Sequence, residues 1–399
     1  MEWKNGEGKV AAWKGNGKIK LCILAGTRPE WIRLSAVIKK CRKYMDTIVV
    51  TTNQNYDRQL FEVFFDDLGL EYPDVYLNAV GENLGQTIGN IIARTYEFCV
   101  DMMPDAVLCL GDTNSCLGIL GAKRLHIPIF HMEAGNRCRD LCLPEEQNRA
   151  ICDITSDVNM PYSEAARRYL IEMGFPKERI YVTGSPMAEV LTQNMAQIQN
   201  SDVHSRLGLE KGKYILLSAH REENIDDEKN FLSLFTAINE MAKKYDMPIL
   251  YSCHPRSRKR LEQMKTEGKF VLDPRVIAHD PLGFHDYNCL QLHAFCCVSD
   301  SGTLPEESSF YTSMGLSIPA VCIRTSTERP EALEKGDFIL SGIDTVGLLQ
   351  SVDVAVEMVK SGDYGIPCPD YTDLNVSDKV VRIIQSYVGV VNKMVWRKN

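Results

Sequence analysis

Short apolar runs, each closed by polar residues, alternate along this chain with stretches in which apolar residues recur every three or four positions. The runs at 19–25, 47–52, 105–112, 127–130, 157–162 and 180–184 are too short for helices and too continuously apolar for half-exposed strands. They predict buried strands of the parallel type. Helical spacing between them, with Ile32, Ala36, Val37 and Lys40 in the first helix, further helices to about Leu68 and over 113–125, completes a βαβα series. The alternation breaks into a helical bridge and a polar stretch over 185–212. It then resumes with apolar runs at 214–220, 248–254, 295–300 and 319–324. Val380, Ile383, Ile384, Tyr387, Val391, Met394 and Val395 lie at helical spacing and predict one long amphipathic helix, with Ser377 as its N-cap. The expected architecture is α/β: two doubly wound parallel sheets, over 18–187 and 188–376, with strand exits facing across a cleft. Residues 1–17 form an extension, and 377–399 a helix returning to the first domain.

Composition narrows this picture. At 399 residues the chain exceeds what a single core supports, which favours two domains. A net charge of −8 argues against nucleic acid or an anionic membrane as a nonspecific partner, while leaving room for a local basic pocket. No apolar run approaches the ~18 residues of a membrane span. The 14 cysteines are irregularly spaced without a CxxC, which reads as reduced core thiols of a cytoplasmic protein and not as a disulfide framework or zinc site. The first 17 residues, rich in Gly and Lys, lack the apolar region of a signal peptide. They are expected to be mobile, with Trp3 and Trp13 as their only anchors.

The polar residues that close the runs carry the chemistry. His131 and Glu133 follow one predicted strand, and Pro144 starts a helix whose first turn holds Glu145 and Glu146. Gly26-Thr-Arg-Pro-Glu30 follows the first strand, with Arg28 and then Arg33 aimed above the sheet. Asp112 ends the 105–112 run, His220 the 214–220 run and His254 the 248–254 run. Ser301-Gly302 precedes a helix beginning near Pro305, where free N–H groups and the helix dipole favour a phosphate. Arg324 and Arg329 add positive charge after the next strand. Each residue also has a plain structural role open to it: Arg28 a surface ion pair, Asp112 and Ser301 helix caps, Glu133 a partner for Arg137. Together they place acids with Arg28 on one side of a cleft, and His220, Ser301, Gly302, Glu307 and Arg329 on the other. That arrangement suits a sugar nucleotide, because ligands of open α/β sheets bind at strand exits.

Gly-Thr-Arg-Pro-Glu, Gly-Asp-Thr, His-x-Glu-Ala-Gly, Pro-Glu-Glu-x-Asn-Arg, Thr-Gly-Ser, His-Arg-Glu-Glu-Asn, His-Pro, Asp-Ser-Gly-x-x-x-Glu-Glu and Thr-Glu-Arg-Pro-Glu occur here in the order of the non-hydrolysing UDP-N-acetylglucosamine 2-epimerases. The resemblance runs from Lys18 to the C-terminus. It implies the GT-B architecture, a UDP-sugar substrate, no cofactor or metal, no nucleic-acid or membrane partner, and a homodimer. It further implies that Asp112 and Glu133 are the acid–base carboxylates and that Glu145 positions the sugar. His220 and Arg28 would stabilise the leaving diphosphate, which Ser301 and Gly302 hold. Glu307 would bind the ribose and Tyr287 stack on the uracil, with Arg33, Arg137, His254 and Arg329 as further substrate contacts. A finer resemblance, on 111–116, 131–138, 283–288 and 376–384, is to the UDP-N-acetyl-L-fucosamine synthase branch, which inverts C2 of UDP-2-acetamido-2,6-dideoxy-L-talose for capsule and O-antigen precursors. Three departures from the glucosamine enzymes accompany it. Gly-Gln-His, part of their allosteric site, reads Asn53-Gln54-Asn55. Gly-Leu-Arg-Thr reads Gly135-Asn-Arg-Cys138, and the lysine of the first helix is Arg33. The same chemistry on UDP-N-acetylglucosamine, a hydrolysing 2-epimerase, a GT-B glycosyltransferase and a non-catalytic sugar-nucleotide binder are the competing readings.

Overall fold

The computed structural model describes residues 2–53 and 58–398. Gln54 and Asn55, which carry most of the altered Gly-Gln-His motif, lie outside them. Two compact units emerge. One runs to Thr192 and resumes at Asp373; the other is Gln193–Thr372.

The first unit is built on a parallel sheet of β1 (Lys20–Ala25), β2 (Asp46–Thr51), β3 (Val75–Tyr76), β4 (Ala106–Leu110), β5 (Ile129–Met132) and β6 (Val158–Met160), in the order β3-β2-β1-β4-β5-β6. The second contains β7 (Ile215–Ser218), β8 (Ile249–Ser252), β9 (Val276–His279), β10 (Cys296–Ser299), β11 (Ala320–Cys322) and β12 (Ile339–Leu340), in the order β12-β11-β10-β7-β8-β9. The second order is the first one over again, so the fold repeats although the sequence does not. In each sheet the direction of strand progression reverses between two central strands, β1 and β4 or β7 and β10. At such a switch point adjoining helices diverge to opposite faces and leave a crevice above the strand exits.

Local chemistry fixes how the chain leaves these strands. After β1, Glu30 Oε2 accepts the backbone N–H of Thr27 at 2.8 Å and of Gly26 at 3.1 Å, a capping box that starts the helix Arg28–Tyr44. Gly26 is forced: a Cβ there would sit 2.1 Å from both Ser115 Oγ and Thr52 Oγ1. The helix expected over 113–125 divides into a 3₁₀ turn, Asn114–Gly118, and a short α-helix, Ile119–Arg124. Here Gly121 packs so close to the helix Leu84–Met102 that a Cβ would lie 2.8 Å from the Ile92 carbonyl oxygen.

Several elements differ from the sequence-based expectation. The run 180–184 adds no strand; Ile180 makes a single bridge to Asn159. β3, β9 and β12 carry too few buried residues to show a pattern. The first residues do not hang loose. Trp3 is buried edge-on against Phe98, its indole N–H donates to Asp101 at 3.0 Å, and the Trp13 N–H donates to the Met102 carbonyl at 2.6 Å. Two indoles thus dock this segment on the end of the helix Leu84–Met102. The division between units falls inside the helix Met187–Gln199, which crosses it without a break. The final helix, Val376–Met394, is preceded by Asn375, and Ser377 lies in its first turn. Glu189 takes the Ser377 N–H at 2.8 Å, and the helix packs on Arg28–Tyr44 of the first unit. Among the described residues no helix is long and apolar enough to cross a membrane.

Candidate active site

On the first unit, Asp112 and Glu133 stand at the exits of neighbouring strands. Leu110 of β4 pairs in register with Met132 of β5, and each acid follows its strand within two residues. Glu133 is buried with φ of 62°, the left-handed region, which costs a non-glycine about 1–3 kcal/mol. Gly111, at φ 79°, makes room for it, since a Cβ there would lie 3.0 Å from Glu133 Oε2. Arg33 forms an ion pair with Glu133, and the buried Arg149 forms one with Asp112. Asn148 adds a hydrogen bond to the Asp112 carbonyl at 3.0 Å. The two carboxylates are thereby aimed by separate arginines on separate helices.

Pro144 does begin a helix, Pro144–Thr155. Its two glutamates diverge. Glu146 is buried and accepts the Cys138 N–H at 3.1 Å, whereas Glu145 keeps more solvent contact. Arg28 is exposed, 5.0 Å from the Phe64 ring centroid. Glu30, beneath this loop, has its carboxyl pushed up to about 8 by burial, with the Cys116 thiol adding to the effect.

Arg137 is not placed as the sequence suggested. Its guanidinium pairs with Asp153 and donates to the Asn136 carbonyl at 2.7 Å, so it is committed to the protein interior. Its alternative partner, Glu133, is taken by Arg33.

On the second unit the organising residue is Asp300, fully buried just past β10. It accepts the backbone N–H of His220 at 2.9 Å and of Arg221 at 3.0 Å, the Asn224 amide at 3.2 Å, and faces His220 Nδ1 at 3.1 Å. Burial alone would raise its pKa. The His220 ring and the N–H groups of Arg221 and Asn224 outweigh burial and hold it at about 2. The exits of β7 and β10 are thus joined at the switch point, and His220 projects to solvent beside the Ser301-Gly302 turn. That turn leads into the helix Leu304–Ser313. A Cβ on Gly302 would lie 3.8 Å from Glu328 Oε2 and 3.9 Å from Arg221 Nη2, so the Arg221–Glu328 ion pair borders the same turn.

Tyr287 is half-buried, its phenol raised chiefly by burial and by the Glu307 carboxylate, with Ser218 and Ser299 acting in the other direction. Glu307 accepts from Gln291 Nε2 at 2.7 Å. His254 is exposed and caps the helix Pro255–Thr266 through its Nδ1. Arg324 and Arg329, expected to lend charge to a phosphate, are instead buried in ion pairs with Glu328 and Glu306. Two fully desolvated guanidiniums need buried acids, and the helix at 304–313 and the segment before Pro330 supply them. The residues that sequence reasoning passed over are Arg149, Arg221 and Asp300. All three stand inside the ordered motifs, Arg149 closing Pro-Glu-Glu-x-Asn-Arg, Arg221 following His220 and Asp300 preceding Ser301-Gly302, but only Asp300, an acid closing an apolar run, was marked by the strand pattern as well.

Two doubly wound units, one with paired carboxylates and one with a Ser-Gly turn before a helix beside a histidine and an arginine, make an α/β protein of the GT-B-like class. Comparison with known proteins gives the family. Residues 39–385 match the profile of the UDP-N-acetylglucosamine 2-epimerases, and the chain belongs to this family of isomerases. It is similar to the structure of a UDP-N-acetylglucosamine 2-epimerase from Rickettsia bellii, with 41% identity, 96% of this chain and 100% of that one covered, and a TM-score of 0.87. It is also similar to the crystal structure of the Methanocaldococcus jannaschii enzyme in complex with UDP-GlcNAc and UDP, at 30% identity, 92% and 99% coverage and a TM-score of 0.84. A curated relative from Pseudomonas aeruginosa, 31% identical over 81% of this chain and 88% of its own, is a UDP-2,3-diacetamido-2,3-dideoxy-D-glucuronate 2-epimerase.

Proposed function

We propose that this UDP-sugar C2 epimerase converts UDP-2-acetamido-2,6-dideoxy-L-talose to UDP-N-acetyl-L-fucosamine, a reaction serving capsule or O-antigen synthesis. The C2 proton of such a sugar has no neighbouring carbonyl to acidify it. Anti elimination of UDP as the C2–H bond breaks gives a 2-acetamidoglycal; UDP then adds back while C2 is protonated on the opposite face. This needs a base, an acid and a stabilised leaving diphosphate. In this reading Asp112 and Glu133 exchange the proton and Glu145 positions the sugar. His220, Arg28, Ser301 and Gly302 receive the charge that develops on the diphosphate. Tyr287 and Glu307 hold the nucleoside, and His254 adds a further contact. Arg33, on Glu133, acts through that carboxylate.

The observation that carries the choice of sugar is the segment Gly135–Cys138. It departs from the sequence of the glucosamine enzymes at the place where Cys138 is bonded to Glu146, which also meets Arg149, the partner of Asp112. A change of residue there reaches Asp112 through two intervening side chains, Glu146 and Arg149. The second reading is the same chemistry on UDP-N-acetylglucosamine, favoured by the substrate in the name of the Rickettsia bellii relative. The Pseudomonas relative is described as acting on a different aminosugar at about the same identity, so similarity at this level leaves the sugar open.

Proton NMR in D₂O decides. Deuterium entering C2 as the fuco epimer forms from the talo substrate supports the proposal. Exchange with UDP-N-acetylglucosamine alone moves the enzyme to the second reading. A homodimer is proposed as the working assembly, to be checked by sedimentation.

A further inference from the structure

Between the two acid-bearing turns lies a buried ion pair that the mechanism above does not use. His131 and Asp153 are both completely inaccessible to solvent. His131 Nε2 lies 2.7 Å from the Gly111 carbonyl oxygen, and Nδ1 lies 2.9 Å from Asp153 Oδ1. A carbonyl oxygen can only accept, so Nε2 carries a hydrogen. Asp153 also accepts the Gly135 N–H at 3.1 Å and the Arg137 guanidinium, so it is ionised and Nδ1 donates too. With both ring nitrogens facing acceptors, the geometry favours an imidazolium. The groups that face it agree. Burial would strip its charge, but Asp153, with Cys116 and the Gly111 carbonyl adding to it, raises its pKa. Burial would likewise raise Asp153, and His131 and Arg137 outweigh that. Cys116 in turn faces Glu30, Cys109 and Cys152.

The pair bridges two places that matter. Gly111 immediately precedes Asp112, and Gly135 follows Glu133 by two residues. The chain Gly111 C=O, His131, Asp153, Gly135 N–H crosses from the exit of β4 to the exit of β5. We propose that His131 and Asp153 are positioning residues that fix the spacing of Asp112 and Glu133; this rests on reading those two acids as the proton-transfer pair. A buried ion pair is a poor source of stability compared with apolar side chains of the same volume, so holding geometry is the better account of its presence. Neither residue touches substrate, since neither is accessible.

The test combines His131→Gln with spectroscopy of the wild type. Gln retains a donor for Gly111 and removes the ring N–H from Asp153 Oδ1, which keeps only the Gly135 N–H at 3.3 Å. Turnover is expected to fall about 10–100-fold, as small displacements of reacting groups do, with UDP affinity within about twofold by calorimetry. Unchanged turnover, or a loss confined to UDP affinity, overturns the inference. Should the variant not fold, ¹⁵N NMR of histidine-labelled wild type decides: both His131 nitrogens are expected to be protonated at pH 7.5, and a neutral ring there overturns it. Asp112→Asn and Glu133→Gln are run in parallel. If these two turn over normally, the acid–base reading itself fails. If they lose turnover and His131→Gln does not, only the positioning inference fails.

Discussion

Asp300→Asn should weaken both UDP binding and the fold, by amounts that the geometry sets. The wild-type carboxylate gathers the N–H groups of His220, Arg221 and Asn224 and the His220 ring. Its pKa of about 2 lies below the ordinary 3.8. The difference corresponds to about 2 kcal/mol at ~1.36 kcal/mol per unit. Because the folded-state pKa is depressed, that stabilisation is complete above about pH 4 and is lost as pH falls from there towards 2. Asparagine removes the charge and turns an NH₂ towards groups that are themselves donors. Unfolding monitored in urea at pH 7 should show a loss of about 2 kcal/mol or somewhat more, since a buried donor left unmatched adds about 1–3 kcal/mol. The acid limb of the stability curve, between pH 4 and 2, should flatten. With His220 and Arg221 no longer held beside Gly302, the Kd for UDP should rise about tenfold or more by calorimetry, with each charge-assisted contact worth about 1.5–3 kcal/mol. An unchanged urea midpoint together with UDP affinity within about twofold of wild type would refute the claim that Asp300 organises this turn.

Asp112→Asn and Glu133→Gln should each cut turnover about 10²–10⁴-fold while leaving UDP affinity nearly intact; turnover near wild type in either removes that residue from the acid–base pair. Gly26→Ala puts a methyl 2.1 Å from two hydroxyl oxygens and should cost about 1–3 kcal/mol, read as a lower melting temperature; an unshifted melting curve counts against the close approach. Of the 14 cysteines only Cys142 is exposed and Cys138 half-buried, so a chromogenic disulfide should titrate at most two thiols in the native protein and all 14 after denaturation. More than two fast thiols without denaturant would contradict the burial pattern.

The sequence by itself determined the alternation of buried strands and helices, because a strand covered on both faces must be apolar throughout and must end in residues that tolerate water. It therefore also marked the strand exits, and with them Asp112, Glu133, His220 and Ser301-Gly302. The ordered motifs pointed to the family. Elements with little burial, such as β3 and β12, left no pattern to read. Nor could one dimension reveal which charged residues spend their charge internally. Arg137, Arg324 and Arg329 look like ligands for an anion until Asp153, Glu328 and Glu306, 16, 4 and 23 residues away, are brought against them. His131 looked like a site residue beside Glu133, and the fold turned it inward onto Asp153. Trp3 and Trp13 anchor an arm that its Gly and Lys content made look loose. Charge is a property of a residue, but whether that charge is free to act is a property of its neighbours, and only the tertiary structure chooses those.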